Sequence, residues 1–224
     1  MAVSIKEQSL CTEEWKDSSL KERAYRMIRE RIIDCTLAPG MLINEKELIE
    51  EIGVSRTPIR EALNRLEHEK LVRIVLQRGV FVTELTLKNI EDLCEIRELV
   101  EPYFARAAAL NAGESVLKQY EEFFMHALDF DYEKVIQTDR NFHRYVASFS
   151  DNDYLIQMMM NVYAQNERLR MLSCRLPSRV TVAAAEHLAI IRAMLKRDAD
   201  SAAEAMRTHM VNSRTTAFKM KSKG

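Results

Sequence analysis

Apolar residues at Leu20, Ala24, Met27, Ile28 and Ile32 recur every three or four positions, and this spacing predicts a first helix from Ser19 to Cys35. Pro39-Gly40 in "TLAPGMLI" interrupts it. Asn44, followed three residues later by Glu47, predicts a capped start for a second helix, Glu45 to about Ile52, and Gly53 is placed to end that helix in a left-handed conformation. In "GVSRTPIREALNRL", Ile59, Ala62, Leu63 and Leu66 again keep helical spacing. Two helices joined by so short a turn form a helix-turn-helix. In "LVRIVLQRGVFVTEL", Val72, Ile74 and Leu76 alternate with Arg73, Val75 and Gln77, and "VFVT" follows Arg78-Gly79. Two β-rich runs around a glycine-containing turn predict a hairpin. Three helices and a hairpin make a winged helix-turn-helix whose wing tip carries Gln77, Arg78 and Gly79.

The pattern changes after Thr86. Residues Asn89 to Asn111 predict one long helix with Ile90, Leu93, Ile96, Val100 and Phe104 on its inner stripe. About five more helices are predicted, broken near Ala112-Gly113, Asp129–Asp131, Ser150–Asp153, Pro177 and Asp198–Asp200. The fold class expected is mainly α: a winged helix-turn-helix followed by an antiparallel all-helical bundle. The expected organisation is a flexible arm over 1–17, the winged unit over 18–84 and the helical unit over 85–224.

Composition narrows the functional classes. Apolar residues make up 47% and charged residues 30%, enough apolar material for a core. No run of about 18 apolar residues is available to span a membrane, and the first residues have no export-signal pattern. A cytoplasmic protein is expected, with its four cysteines (Cys11, Cys35, Cys94, Cys174) as reduced thiols. The net charge of −1 gives no general attraction to a polyanion, but a local basic face suffices for DNA. Arg56 and Arg60, four residues apart, share a face near the start of the third helix. Ser55 and Thr57 hydroxyls there can add phosphate donors to the free N–H groups of the helix end. A guanidinium can take guanine O6 and N7 together. A charged pair on a helix is ordinarily a solvated face; the tight turn before it and the basic-tipped hairpin after it favour DNA.

The helical region holds a second constellation. Asp139 and His143 in "DRNFH" are four apart and project from one helix face. His187 and His209 lie equally far from Asp198, the centre of the turn between the last two helices, so an antiparallel hairpin brings them level. Three imidazoles and a carboxylate converging in a bundle suit a divalent metal, zinc foremost, with nickel or manganese as alternatives. His68 and His126 have no such partners and are read as ordinary histidines. Arg97 can form a salt bridge to Glu101, four residues on. A helical metal-dependent hydrolase could use the same Asp/His set, but the His-Asp dipeptide of helical phosphohydrolases, a Gly-rich phosphate loop and a nucleophile elbow are all missing, and it would leave the winged helix without a role. In a third reading the helical unit only dimerises and its polar cluster is filled by water.

The run from "AYRMIRERII" through "GVSRTPIREAL" to "RGVFVT" resembles the DNA-binding domain of GntR-type bacterial transcription regulators. "EIRELVEPYFARAAA", "DRNFHRYVASFSDNDYL" and "EHLAIIRAML" are similar to the all-helical FCD ligand-binding domain of the FadR subgroup. The resemblance implies that Lys46, Arg56, Thr57, Arg60, Arg78 and Gly79 contact DNA; because one winged helix reads few base pairs, a homodimer on an inverted-repeat, double-stranded operator is expected. Arg65, over two turns from the helix tip, is a weaker candidate. It also implies that Asp139, His143, His187 and His209 hold the metal, and that Arg97 faces an effector cavity where it holds the carboxylate of a small organic or sugar acid. A regulator, a repressor rather than an enzyme, is the function implied. The chain departs from the family at Cys35 and Lys70, where glycine is usual, and at Lys46, where arginine is common.

Overall fold

The computed structural model describes residues 19–172 and 177–221. The arm expected over 1–17, and with it Cys11, lies outside these residues, as does Cys174. Chain order is α1 (Leu20–Ile33), β1 (Leu42–Ile43), α2 (Glu45–Ile52), α3 (Arg56–His68), β2 (Val72–Val75), β3 (Gly79–Val82), α4 (Leu87–Asn111), α5 (Glu114–Met125), α6 (Tyr132–Ala147), α7 (Asp153–Leu172), α8 (Pro177–Leu195) and α9 (Ala199–Lys221). Two compact units result. One holds the described residues through Thr86 together with Glu167–Leu172; the other holds Leu87–Asn166 and the described chain after 173.

In the first unit, α1 starts where the Ser19 hydroxyl accepts the Glu22 N–H. The Asn44 side chain caps α2 by accepting from Lys46 N–H, and its amide donates to Glu47 Oε1 at 2.7 Å. Gly53 closes α2 at φ 68°. Ile28, Ile32, Ile59, Leu63, Leu66 and Leu71 bury completely or nearly so and fix α1 against α3. The sheet has three strands in the order β1-β3-β2, all antiparallel. The sequence pattern reveals the β2–β3 hairpin but misses β1, whose two residues are too few to show alternation.

The hairpin also ends sooner than its apolar alternation suggests. Val72 is buried, but Leu76 lies in the turn and is 87% exposed. Gln77 takes a left-handed φ of 61°, and Gly79 a φ of 105° that an L-side chain rarely adopts. This turn carries Arg78 out to an exposed tip.

Three other non-glycine residues among those described are left-handed, and all follow helix ends. Cys35 after α1 has φ 63°, Lys70 after α3 has φ 58° and Arg197 after α8 has φ 58°. At Lys70 the turn is a complete helix stop, with Leu71 N–H donating to Leu66 C=O at 2.9 Å and Lys70 N–H to Glu67 C=O at 2.9 Å. Lys70→Gly removes the clash between Cβ and backbone at the cost of a freer unfolded chain. We expect a net gain of about 0.5–1 kcal/mol in urea unfolding; a loss of stability would contradict this account of the turn.

In the second unit, α4 packs on α9, α6 and α8, and α8 packs on α5 and α9. Phe104, Leu117, Phe142, Ile190, Met194 and Met206 lie in its core. The buried face of α4 differs from the expected stripe. Ile90 and Phe104 are buried, but Leu93, Ile96 and Val100 are only partly so, and the centre of the face is Cys94, Arg97 and Glu101. Helical spacing holds, yet the face turns about one position, because α4 brings a charged pair rather than leucines to the middle of the bundle.

Candidate metal centre and nucleic-acid interface

The tip of α3 presents its polar residues outward. Ser55, Arg56, Thr57 and Arg60 are exposed, and Ser55 makes no capping bond. Lys46 on α2 and Arg78 on the wing are exposed, and Gly79 is half-buried. No ion pair engages Arg56, Lys46 or Arg78 among the described residues. Arg60 has only Glu45, at 3.6 Å, and its side chain stays 70% exposed. Arg65 is occupied differently. It pairs with Glu22 at 2.9 Å and lies 3.5 Å above the Tyr25 ring, so it braces α3 on α1.

Asp139 and His143 on α6, His187 on α8 and His209 on α9 are all buried and converge inside the helical unit. One ligand atom from each lies within 4.8 Å of every other. His187 Nε2 is 3.3 Å from His143 Nε2 and 3.3 Å from Asp139 Oδ1, and His143 Nε2 is 3.9 Å from Asp139 Oδ2. Donors around a tetrahedral zinc at about 2.0–2.1 Å stand roughly 3.3 Å apart, a spacing that His187 Nε2 already keeps to His143 Nε2 and Asp139 Oδ1. The buried His209 Nε2 has no hydrogen-bond partner, as expected of an atom reserved for a cation. The rings are held from outside. Phe124 stacks on His187 with centroids 4.4 Å apart, and Phe142 meets it edge-on at 5.4 Å. His126, on the surface, pairs with Glu122 and Asp129.

Carboxylates absent from the sequence-based site complete the arrangement. Glu101 Oε2 lies 2.5 Å from His143 Nδ1, and Glu186 Oε2 lies 2.6 Å from His209 Nδ1. Arg97 is buried against Glu101, Nε to Oε1 at 2.5 Å, and donates to Asn166 Oδ1 at 3.2 Å. The salt bridge foreseen at four-residue spacing is therefore formed. Burial alone would raise the Glu101 carboxyl, but Arg97 and His143 overcome this and hold it down at about 2. Burial lowers the His209 imidazole to about 4, against the upward pull of Glu186. His209 is therefore neutral at pH 7, the form that can bind a metal.

An unfolded histidine takes its proton near 6.5, the buried His209 only near 4. Between these values the unfolded chain binds the extra proton, so acid penalises the fold. Metal-free protein is expected to lose stability as pH falls from about 6.5 towards 4. Glu101 adds a further loss from about 4.5 towards 2, as its stabilising negative charge is titrated. Urea midpoints at pH 7.5, 6 and 5 check this; equal midpoints would contradict it.

Residues 20–82 match the family model for bacterial regulatory proteins of the gntR family, and residues 92–212 match the FCD domain. The chain belongs to the GntR family. It is a DNA-binding transcriptional regulator of the GntR/FCD type, and family members of this type bind operators and typically dimerise. It is similar to the HTH-type transcriptional repressor RspR of Escherichia coli K12, 31% identical over 196 residues that cover 85% of this chain and 86% of RspR. A GntR regulator from Rhodococcus sp. RHA1 shares the fold with a TM-score of 0.75 and 22% identity, over 90% of this chain and 99% of that one. The metal-free FCD domain of TM0439 shares it with a TM-score of 0.52 and 18% identity, over 63% of this chain and 99% of that domain. FCD domains can bind metals, and this GntR chain carries a buried Asp/His cluster. No helix among the described residues is long and apolar enough to cross a membrane.

Proposed function

We propose that the protein is a cytoplasmic bacterial repressor that binds an inverted-repeat operator as a homodimer. In this reading a small carboxylate or sugar acid, held at a divalent metal in the helical unit, changes its operator affinity. The observation that carries the effector half is the buried convergence of Asp139, His143, His187 and His209. These four residues would hold the metal, zinc foremost, with nickel or manganese as alternatives. Once bound, the ion supplies a positive centre for the ligand's oxygens.

The chain's own residues do the rest. Arg97 uses Nε for Glu101 and one terminal nitrogen for Asn166, and its remaining N–H donors are the proposed anchor for the ligand's carboxylate. Arg56 and Arg60 read base edges, while Lys46, Ser55, Thr57 and the wing residues Arg78 and Gly79 position the backbone. Lys46 contributes a point charge without the bidentate fork of arginine. One winged helix reads few base pairs, and a two-fold dimer doubles both the reading and the buried surface.

The effector can act only through different affinities for the DNA-competent and DNA-incompetent states. Operator complex is titrated with citrate and with glucuronate, in zinc-loaded wild type, Arg97→Ala and His187→Ala. A matching acid is expected to shift wild-type operator affinity roughly 5- to 150-fold, a coupling of about 1–3 kcal/mol, and to leave both variants unmoved. An equal shift in all three places the ligand elsewhere and contradicts the proposal.

A further inference from the structure

We propose that Glu101 and Glu186 are positioning residues of the metal centre, each holding one ligand imidazole by Nδ1 so that Nε2 faces the shared centre. This rests on the metal reading above and adds to it the residues that aim the ligands.

The two carboxylates come from different helices and do the same thing. Glu101 on α4 is buried, with Oε2 2.5 Å from Nδ1 of His143 on α6. Glu186 on α8 has Oε2 2.6 Å from Nδ1 of His209 on α9. In neither pair do the partners share a helix, so neither is the neighbour contact that helical spacing gives without cost. A carboxylate accepting from Nδ1–H fixes the proton on that nitrogen and leaves the Nε2 lone pair free for a cation. It also makes the ring a stronger donor to the ion.

Each carboxylate is itself braced by its other oxygen. Glu101 Oε1 takes Arg97 Nε at 2.5 Å, and Arg97 reaches on to Asn166. Glu186 Oε1 takes Asn212 Nδ2 at 2.8 Å. One oxygen aims an imidazole while the other ties the carboxylate to a neighbouring element. If Glu101 served only to neutralise Arg97, Oε2 would have no reason to face an imidazole whose other nitrogen lies 3.3 Å from His187 Nε2. His187 is aimed by other means, between the rings of Phe124 and Phe142.

The test measures zinc affinity of the full chain by competition with a chromophoric chelator. The visible spectrum of the cobalt(II)-loaded protein and the thermal melt of the metal-free protein accompany it. Glu186 lies partly at the surface, so Glu186→Ala is expected to melt near wild type without metal, yet to bind zinc about 10- to 100-fold more weakly with shifted cobalt bands. Glu186→Gln keeps an acceptor for Nδ1–H without the charge and is expected to fall between. For Glu101, the double variant Arg97→Met/Glu101→Met removes the buried ion pair together and strands no charge. It too is expected to lose about 10- to 100-fold. Wild-type zinc affinity and an unchanged cobalt spectrum in Glu186→Ala, or in the double variant, would overturn the proposal. Failure of the wild type itself to bind zinc would instead remove the metal reading on which it rests.

Discussion

Arg56→Ala and Arg60→Ala are each expected to weaken operator binding by about 1–3 kcal/mol, a loss of roughly 5- to 150-fold, and to leave the fold intact. Both guanidiniums stand exposed at the first turns of α3, so their removal opens no cavity. The lone ion pair of Arg60 with Glu45 is exposed and worth little to stability. In the proposed reading they supply DNA with charge beside a helix N-terminus and a planar fork that fits guanine. Arg65→Ala is the instructive contrast. It removes the brace from α3 to Tyr25 and Glu22 on α1, so its effect should appear in thermal unfolding before it appears in binding. Binding should also fall steeply with added salt, because counterions displaced from phosphates drive much of the affinity. Wild-type operator affinity in both arginine variants would contradict the assignment of α3 as the reading helix.

The elements that the chain announces most clearly are those with local causes. Asn44 with Glu47 and Gly53 bracket α2, because capping and left-handed termination are decided within a few residues. His187 and His209 meet, ring centroids 4.4 Å apart, because equal distance from a tight turn is a geometric constraint that sequence alone expresses. Strand β1 was hidden, since its two residues gain meaning only by pairing with Val80 and Phe81, far along the chain. The buried face of α4 is only partly legible for a related reason: Leu93, Ile96 and Val100 do pack against the core, but its centre is polar. Periodicity counts apolar residues, and Arg97 and Glu101 are buried because they pair with each other, Asn166 and His143. Glu186 was not singled out either. It adjoins His187 in sequence, yet it serves His209 across the helical hairpin, a relation that spacing on a single helix does not display. Leu76 continues the alternation of Val72 and Ile74, and the left-handed turn at Gln77 places it at an exposed tip instead.

His187→Ala is expected to abolish metal binding rather than weaken it by degrees. Its Nε2 stands 3.3 Å from both His143 Nε2 and Asp139 Oδ1, so in the proposed site it joins the donors of α6 to those of the last two helices. Without it the remaining three donors no longer enclose the ion, and the site loses an imidazole that water replaces poorly. The consequence should be visible in stability. A metal that binds only the folded chain adds about 2.7 kcal/mol when free metal stands at a hundred times its dissociation constant. Added zinc should therefore raise the melting temperature of the wild type and leave that of His187→Ala where it was.

The most direct test of the account is elemental analysis of the purified full chain after exposure to zinc, nickel or manganese and removal of free ions. One equivalent of metal per folded chain is predicted for the wild type, and almost none for a cooperatively melting His187→Ala. A wild-type content near zero with all three metals, or equal content in the two proteins, would contradict the claim that Asp139, His143, His187 and His209 form a metal centre.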